Sequence, residues 1–266
     1  MENPIITLTT DFGYKDPFVG IMKGVLLKIN PAAKVFDITH GISPQNIFEA
    51  SLVLEISYNN FPHDTIHLAI VDPGVGSARR PILAVTENYY FIGPDNGIFS
   101  RIFALAERLT VFHITAAHYF LKQDGSTFHG KDIFAPIAGA LSKGVHISNF
   151  GDPITDFKKI SIPTPQLTGK NIIEGEAVYI DRFGNVMTNI PTKKISEMTG
   201  GSLGNKLKVL VKGKEVPFKT YYAQASDTGL YALINSFGYL ELFVRNGNAA
   251  RTYVIKVGEK VGVMLP

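Results

Sequence analysis

The chain has 266 residues, 45% hydrophobic and 18% charged, with a formal net charge of +3 and no cysteine. That length supports a sizeable core in one large domain or two moderate ones, and the composition excludes a disordered chain. Lys and Arg are scattered rather than clustered, which argues against a nucleic-acid partner, and the missing cysteine excludes disulfides, thiolate metal sites and a cysteine nucleophile.

The start, Met-Glu-Asn-Pro before the apolar Ile5–Thr9, lacks the basic head and cleavage site of a signal peptide. No apolar run approaches the roughly 20 residues of a membrane span, so a cytoplasmic protein without a membrane partner is expected. Ile5–Thr9 reads as a strand that stops at Thr10-Asp11-Phe12-Gly13. Apolar residues at helical spacing predict a helix over Phe18–Ile29, ended by Pro31. Lys34–Ile38 reads as a strand, Pro44–Tyr58 as a helix, and Thr65–Val71 as a strand running into Asp72-Pro73-Gly74-Val75-Gly76. Ile82–Thr86 and Tyr89–Ile92 form a predicted hairpin, followed by helices over Ile98–Arg108 and Ile133–Leu141. This alternation predicts an α/β layered domain with a largely parallel sheet over residues 1–159.

Residues 160–170 hold prolines, Ser/Thr clusters and a glycine without periodicity, and read as a linker. Residues 171–266 then give short runs: Glu174–Ile180, Asn185–Ile190, Leu207–Val211, Glu215–Phe218, Leu230–Asn235, Tyr239–Val244 and Arg251–Lys256. Punctuated by Gly and Asn, they predict a smaller antiparallel β-barrel or sandwich.

Three clusters fall in loops after strands, where α/β sheets place functional groups. They are Asp11 with Asp16, Asp72-Pro73-Gly74-Val75-Gly76 with Arg79 and Arg80, and Thr127-Phe128-His129-Gly130-Lys131-Asp132. Each alone has an ordinary structural reading: an Asp at a strand end caps a helix or turn, Gly74 and Gly76 serve a tight turn, and a single His at a helix start is structural. His63 and His67 have i, i+4 spacing but flank a strand start without a carboxylate pattern, so no metal site is expected.

Together the clusters resemble the S-adenosylmethionine (SAM) hydroxide adenosyltransferases, relatives of the fluorinases and chlorinases. The resemblance runs through TTDFG at Asp11, VDPGVGS with Arg79, GPDNGIF at Asn96, TFHGKDIFAP at His129, YIDRFGNVMTNI from Asp181 and NSFGYLELFVRNGNAA from Asn235. It covers nearly the whole chain in order.

It implies hydrolysis of SAM to adenosine and methionine by activated water, without a cofactor or metal. Asp72, Arg79 and His129 match the water-handling set. Free water is a poor nucleophile, and an imidazole titrates near neutrality, so His129 is the expected proton acceptor, with Arg79 stabilising hydroxide and Asp72 orienting. The resemblance also gives Asp11 the ribose hydroxyls, and Asp16, Asp181 and Ser236 the methionine amino end. Phe183 and Asn185 take the adenine, backbone from Asn246 to Ala249 reads its edge, and Phe128 and Arg245 join the substrate contacts. Phe183-Gly184-Asn185 alone would read as an ordinary turn.

Where fluorinases carry Arg after Ser236, this chain has Phe237; it has Asp72 for their Tyr and Gly130 for a Ser of their halide pocket. A carboxylate repels halide, so the departures favour water. The alternatives are a halogenase of this fold, a non-catalytic adenosine or SAM sensor, and a metal-dependent hydrolase. The resemblance further implies a homotrimer, with each site between the α/β domain of one subunit and the β domain of a neighbour.

Overall fold

The computed structural model describes residues 4–122, 125–168, 171–199 and 207–264. Met1–Asn3, where the leader reading begins, and residues 169–170 of the expected linker lie outside the described residues. The chain divides into two compact units, Met1–Ser161 and Ile162–Pro266.

The first unit is built on seven strands: β1 (Ile5–Thr10), β2 (Lys34–Thr39), β3 (Ile66–Ile70), β4 (Pro81–Thr86), β5 (Tyr90–Pro94), β6 (Leu109–His113) and β7 (Pro153–Ile154). They lie in the order β2-β1-β3-β5-β4-β6-β7. The pairs β1/β2, β1/β3 and β3/β5 are parallel, while β4 and β7 run against their neighbours, so the sheet is largely parallel as expected. All five residues of β3 are buried, which explains its unbroken apolar run.

Four helices cover this sheet: α1 (Phe18–Ile29), α2 (Ile47–Ser57), α3 (Ser100–Leu105) and α4 (Ala135–Ser142). Ile6 and Leu8 of β1 pack with Val19, Met22 and Leu26 of α1 and with Ile137, Ala138 and Leu141 of α4 in one core. The alternate residues Thr7 and His67 point to the opposite face, where His67 stacks on Phe91 with ring centroids 5.1 Å apart. From β1 the chain steps to β2 on one side and then to β3 on the other. The carboxyl ends of β1 and β3 therefore flank a switch point, the usual site of a ligand crevice in such sheets.

The second unit contains β8 (Gln166–Thr168), β9 (Ile172–Ile180), β10 (Val186–Pro191), α5 (Thr192–Thr199), β11 (Lys208–Val211), β12 (Lys214–Val216), β13 (Leu230–Ile234), β14 (Tyr239–Val244), α6 (Ala249–Thr252) and β15 (Lys260–Met264). Its pairings are antiparallel, in the order β12-β11-β15-β9-β10-β14-β13, with β8 beside β9. Beyond β12, Lys219 N–H donates to Ala232 O (2.7 Å) and Ala232 N–H to Pro217 O (3.0 Å), which brings the two ends of the sheet together in a nearly closed barrel. Leu240, Leu242 and Val244 of β14 fill its core, and Phe243 packs outside with Tyr231.

Several local expectations are corrected. The helix expected over 98–108 spans only Ser100–Leu105, because Ala106 turns extended and the chain enters β6. The strand expected at Arg251–Lys256 is replaced by α6, whose N-cap Asn248 accepts from Arg251 N–H at 2.7 Å, and the strand comes later, at β15. The segment read as a linker carries β8.

Candidate active site

Asp11 follows β1 and Asp72 follows β3, whose ends sit side by side with Thr10 opposite Ile70. Between them opens a cavity of about 430 Å³ lined by Asp11, Phe12, Asp16, Phe18, Asp72, Phe128 and His129, among others. Phe12, Phe18 and Phe128 meet edge to face at 5.2–6.0 Å and form an aromatic wall.

The loop from Asp72 to Arg79 is tightly wound. Ser77 Oγ donates to Gly74 O at 2.7 Å and accepts Arg79 N–H at 3.2 Å. Gly76 has φ +78, and a Cβ there would lie 2.7 Å from Ser126 O, so only glycine lets this loop close against the segment that carries His129. His129 precedes a π-helical turn, Gly130–Phe134, which leads into α4. Such turns re-aim side chains within a helix.

These constraints bring Asp72, Arg79 and His129 together. Arg79 Nε donates to Asp72 Oδ1 at 3.1 Å, and its Nη2 donates both to Asp72 Oδ2 and to His129 Nδ1, the latter at 3.0 Å. The Asp72 and Arg79 side chains are 5% and 4% exposed. A guanidinium has no acceptor, so Nδ1 of His129 must accept, and a neutral ring carries its hydrogen on Nε2. Burial, reinforced by the Arg79 charge, holds His129 below its ordinary pKa and so favours that neutral form. Burial pushes the Asp72 carboxyl above its ordinary value against the pull of Arg79, His129 and the Gly74 N–H. Arg79 Nη1 is buried without a hydrogen-bond partner, and the guanidinium lies over the Phe134 ring with its carbon 5.3 Å from the centroid.

Of the other expected residues in this unit, Asp11 takes Gln45 N–H on Oδ2 at 2.8 Å, and Gln45 reaches it with a left-handed φ of 66°. Asp16 is exposed at the cavity edge. Asn96 does not line the cavity; its Nδ2 donates to Val71 O at 2.8 Å and ties down the end of β3. His67 accepts or donates at Thr7 Oγ1, 2.8 Å away, and burial lowers its pKa to about 3. Among the described residues no group of three or more His, Asp or Glu is placed to hold a metal.

In the second unit, Asp181, Phe183, Asn185, Tyr222, Arg245 and Asn246 line a cavity of about 890 Å³. Asp181 Oδ1 accepts the backbone N–H of Phe183 (2.9 Å) and Asn185 (2.8 Å), and Oδ2 accepts Asn185 Nδ2 (2.9 Å). The turn is thus wound around the carboxylate and pushes Phe183 outward, 75% exposed. Arg245 Nη1 donates to Ala225 O at 2.7 Å, and Ala249 is buried at the start of α6. Ser236 does not join this cavity; it is exposed in the turn entering β14, while Val244–Asn248 leave the other end of that strand.

Sequence reading missed Gln45, whose backbone geometry carries no signature, and the Tyr222–Glu241 pair. Glu241 is 6% exposed and accepts from Tyr222 Oη (2.6 Å) and Asn235 Nδ2 (3.1 Å). Burial raises both groups; the hydrogen bond and charge of Glu241 and the charge of Asp181 push Tyr222 further up, whereas the bonds from Tyr222 and Asn235 pull against the rise of Glu241. A charged residue between Leu240 and Leu242 in a strand was the available signal.

Residues 6–151 match the model of the SAM hydroxide adenosyltransferase N-terminal domain, and residues 175–262 match that of its C-terminal domain. An (R)-S-adenosyl-L-methionine hydrolase of Methanocaldococcus jannaschii is 34% identical over 93% of this chain and 90% of its own. A fluorinase of Nocardia brasiliensis is 24% identical over 98% of this chain and 97% of its own. The crystal structure of a conserved protein from Thermotoga maritima matches with a TM-score of 0.91 at 32% identity, covering 98% of this chain and 100% of that one.

Proposed function

Because the chain belongs to the SAM hydroxide adenosyltransferase family, we propose that it hydrolyses S-adenosyl-L-methionine to adenosine and L-methionine. The observation that carries this reading is the Asp72–Arg79–His129 set, in which Asp72 and the half-buried His129 line the aromatic-walled cavity and Arg79 joins them. A binding module has no use for a guanidinium clamped between a carboxylate and an imidazole that both line the cavity.

The proposed chemistry is an in-line displacement at the ribose C5′. The water oxygen bonds to C5′ as the C5′–S bond breaks, and the sulfur leaves with the electron pair as the neutral thioether of methionine. The sulfonium departs without help from an acid or a metal, so catalysis is mainly positioning. The Nε2–H of His129, which lines the cavity, is the donor that holds the water oxygen, and Arg79 fixes the orientation of His129 and Asp72 together. His129 is therefore assigned the role of donor, and Asp72 that of the group receiving the water's proton. Each carboxylate oxygen keeps a lone pair beyond its bond to Arg79, and burial makes Asp72 a stronger base than an exposed carboxylate.

Asp11 takes the ribose hydroxyls, with Phe128 beside them on the aromatic wall. Phe183, Asn185, Arg245 and the backbone of Asn246 to Ala249 receive the adenine. Asp16, Asp181 and Ser236 take the methionine amino end, with Phe237 leaving the carboxylate to backbone amides. No cofactor is required, and SAM is the small-molecule partner. The assembly is a cytoplasmic homotrimer that completes each site between subunits; the outward-facing Phe183 supports this. No helix among the described residues is long and apolar enough to cross a membrane.

Water is favoured over halide for two reasons. Asp72 sets a negative charge at the nucleophile position. At Gly130, a Cβ would lie 3.0 Å from the Phe128 ring and 3.1 Å from Met22 Sδ, so a serine would have to push both side chains aside by a few tenths of an ångström. Product analysis after incubation with SAM, with and without chloride or fluoride, tests the reading. Adenosine and methionine at halide-independent rates are expected. A 5′-halogenated nucleoside would show a halogenase, and adenosine binding without turnover would show a sensor.

A further inference from the structure

The histidine of the first unit that lies nearest the Asp11 turn has no part in the proposed chemistry, yet it is embedded in a continuous polar chain. His40 is 1% exposed and Thr10 is 0% exposed. Lys23 Nζ donates to Asp37 Oδ2 at 2.6 Å, and Asp37 Oδ1 lies 3.0 Å from His40 Nε2, an ion-pair contact without the alignment of a hydrogen bond. On the other side of the ring, Nδ1 is 2.8 Å from Thr10 Oγ1, and that oxygen accepts Phe12 N–H at 3.2 Å. Gly13 N–H donates to the His40 carbonyl at 2.8 Å, and the edge of the Tyr14 ring packs on the imidazole at 5.1 Å.

Burial works against ionisation of Asp37, but Lys23 and the neighbouring His40 outweigh it and hold the carboxyl below its ordinary pKa. With Nε2 turned towards that carboxylate, Nδ1 is the nitrogen bonded to Thr10 Oγ1, which also accepts Phe12 N–H. The order Asp–His–Thr has the form of a nucleophilic triad, but a hydroxyl with no exposed surface cannot attack a substrate. What the chain does is clamp the turn on both sides of Asp11. Thr10 and Phe12 precede and follow Asp11, and Gly13 is tied to the backbone of His40. The segment leaving His40 also ends at Gln45, whose N–H fixes Asp11 Oδ2.

We infer that His40 is a positioning residue for the ribose diol: through Thr10 and the segment to Gln45 it sets the Asp11 carboxylate in the one orientation that accepts two hydroxyl hydrogens. The inference rests on the reading of Asp11 as the ribose contact. Its alternative is a buried histidine that merely stabilises the unit. A purely structural role would lower the melting temperature and leave the selectivity between ribose and deoxyribose ligands unchanged.

The test is titration of the full-length protein with adenosine and with 2′-deoxyadenosine. Hydrogen bonds to a charged group set the scale, so adenosine is expected to bind about tenfold more tightly to the unaltered protein. In Asp11→Asn that preference falls to about threefold or less. In His40→Met, which offers neither donor nor acceptor, it falls to the same level. In His40→Gln, whose amide keeps one acceptor and one donor at the reach of the imidazole nitrogens, it returns to within about threefold of the original. The double variant Asp11→Asn/His40→Met should be no less selective than Asp11→Asn alone, because both changes act through one carboxylate. Should His40→Met fail to fold, Thr10→Val breaks the same chain with little change of shape and is expected to give the same loss of preference.

Loss of preference in Asp11→Asn with full preference retained in both His40→Met and Thr10→Val overturns the role of His40 and leaves the ribose reading standing. Unchanged preference in Asp11→Asn overturns both.

Discussion

Nη2 of Arg79 lies 3.0 Å from Nδ1 of His129, and the arginine, which can only donate, thereby decides which nitrogen of the imidazole carries hydrogen. In the proposed chemistry the nitrogen facing the water is therefore a donor, and the water's proton is assigned to Asp72, the carboxylate in contact with the same guanidinium.

Substitutions separate the two roles. Asp72→Asn is expected to lower kcat by about 10²- to 10³-fold, the range for losing a general base. His129→Ala is expected to lose about 10²-fold, the scale of one oxyanion-type donor, whereas His129→Asn, which retains an N–H, should remain within about tenfold of the original rate. If His129 were the proton acceptor, His129→Asn would be as slow as His129→Ala. Single-turnover rates at saturating SAM make the comparison.

The pH dependence follows from the same geometry. Burial and the Arg79 charge hold the His129 pKa below the ordinary value of 6.5, so the ring stays neutral as the solution passes through that pH from above. Protonation of His129 should therefore cause no fall in the rate at pH 6.5. Because the Asp72 carboxyl, raised by burial, must be ionised to act as base, an acid limb that persists in His129→Asn belongs to Asp72. One above pH 6.5 that disappears in His129→Asn would contradict the assigned environment of His129.

His67 gives a separate acid sensitivity, in stability. Burial depresses its folded-state pKa to about 3 from 6.5. Below pH 6.5 the unfolded chain takes up a proton that the folded chain refuses, so stability is full above 6.5 and is lost as pH falls towards about 3. In His67→Phe that slope should flatten, although Thr7 loses its partner and stability at pH 7 falls by about 1 kcal/mol. Urea midpoints at pH 7, 5 and 4 for the two proteins provide the check; parallel slopes would count against the assignment.

Gly184 tests the adenine end. Its φ is +87, and a Cβ there would fall 2.0 Å from Cγ of Asn248, the residue that caps α6. Gly184→Ala is expected to destabilise the second unit by about 2 kcal/mol and to weaken adenosine binding, because Phe183 and Asn248 cannot both keep their places. Thermal melts and adenosine titration report the two effects; unchanged binding would remove Phe183 from the site.

Much of the fold was legible because its strong signals are local. The apolar run before Asp72 could only be a buried strand, and the Ile5–Thr9 strand and Phe18–Ile29 helix emerge almost as read. The losses came where tertiary pairing overrides pattern. Leu109–His113 is a strand because β4 lies ready to pair with it, which nothing in five residues announces. Leu105 ends a helix whose apolar spacing continues further, and Asn248 caps a helix too short to show a period. Within the site, the nearness of Asp72, Arg79 and His129 could be suspected from motifs. The direction of the Arg79–His129 hydrogen bond, the backbone reach of Gln45 and the burial of Glu241 depend on three-dimensional placement that residue types do not encode.

The assembly proposal also has a direct consequence. If each site is completed by a neighbour, dilution or interface substitutions that yield monomers should abolish turnover while Asp72, Arg79 and His129 remain intact. Sedimentation and kinetics on the same sample decide this, and a fully active monomer would refute it.

The most direct test of the central claim is reaction of the purified protein with SAM in ¹⁸O-labelled water, followed by mass spectrometry of the nucleoside. Attack by water at C5′ predicts adenosine carrying one ¹⁸O at its 5′-hydroxyl, released together with unlabelled methionine. Unreacted SAM, or a nucleoside without the label, would contradict it.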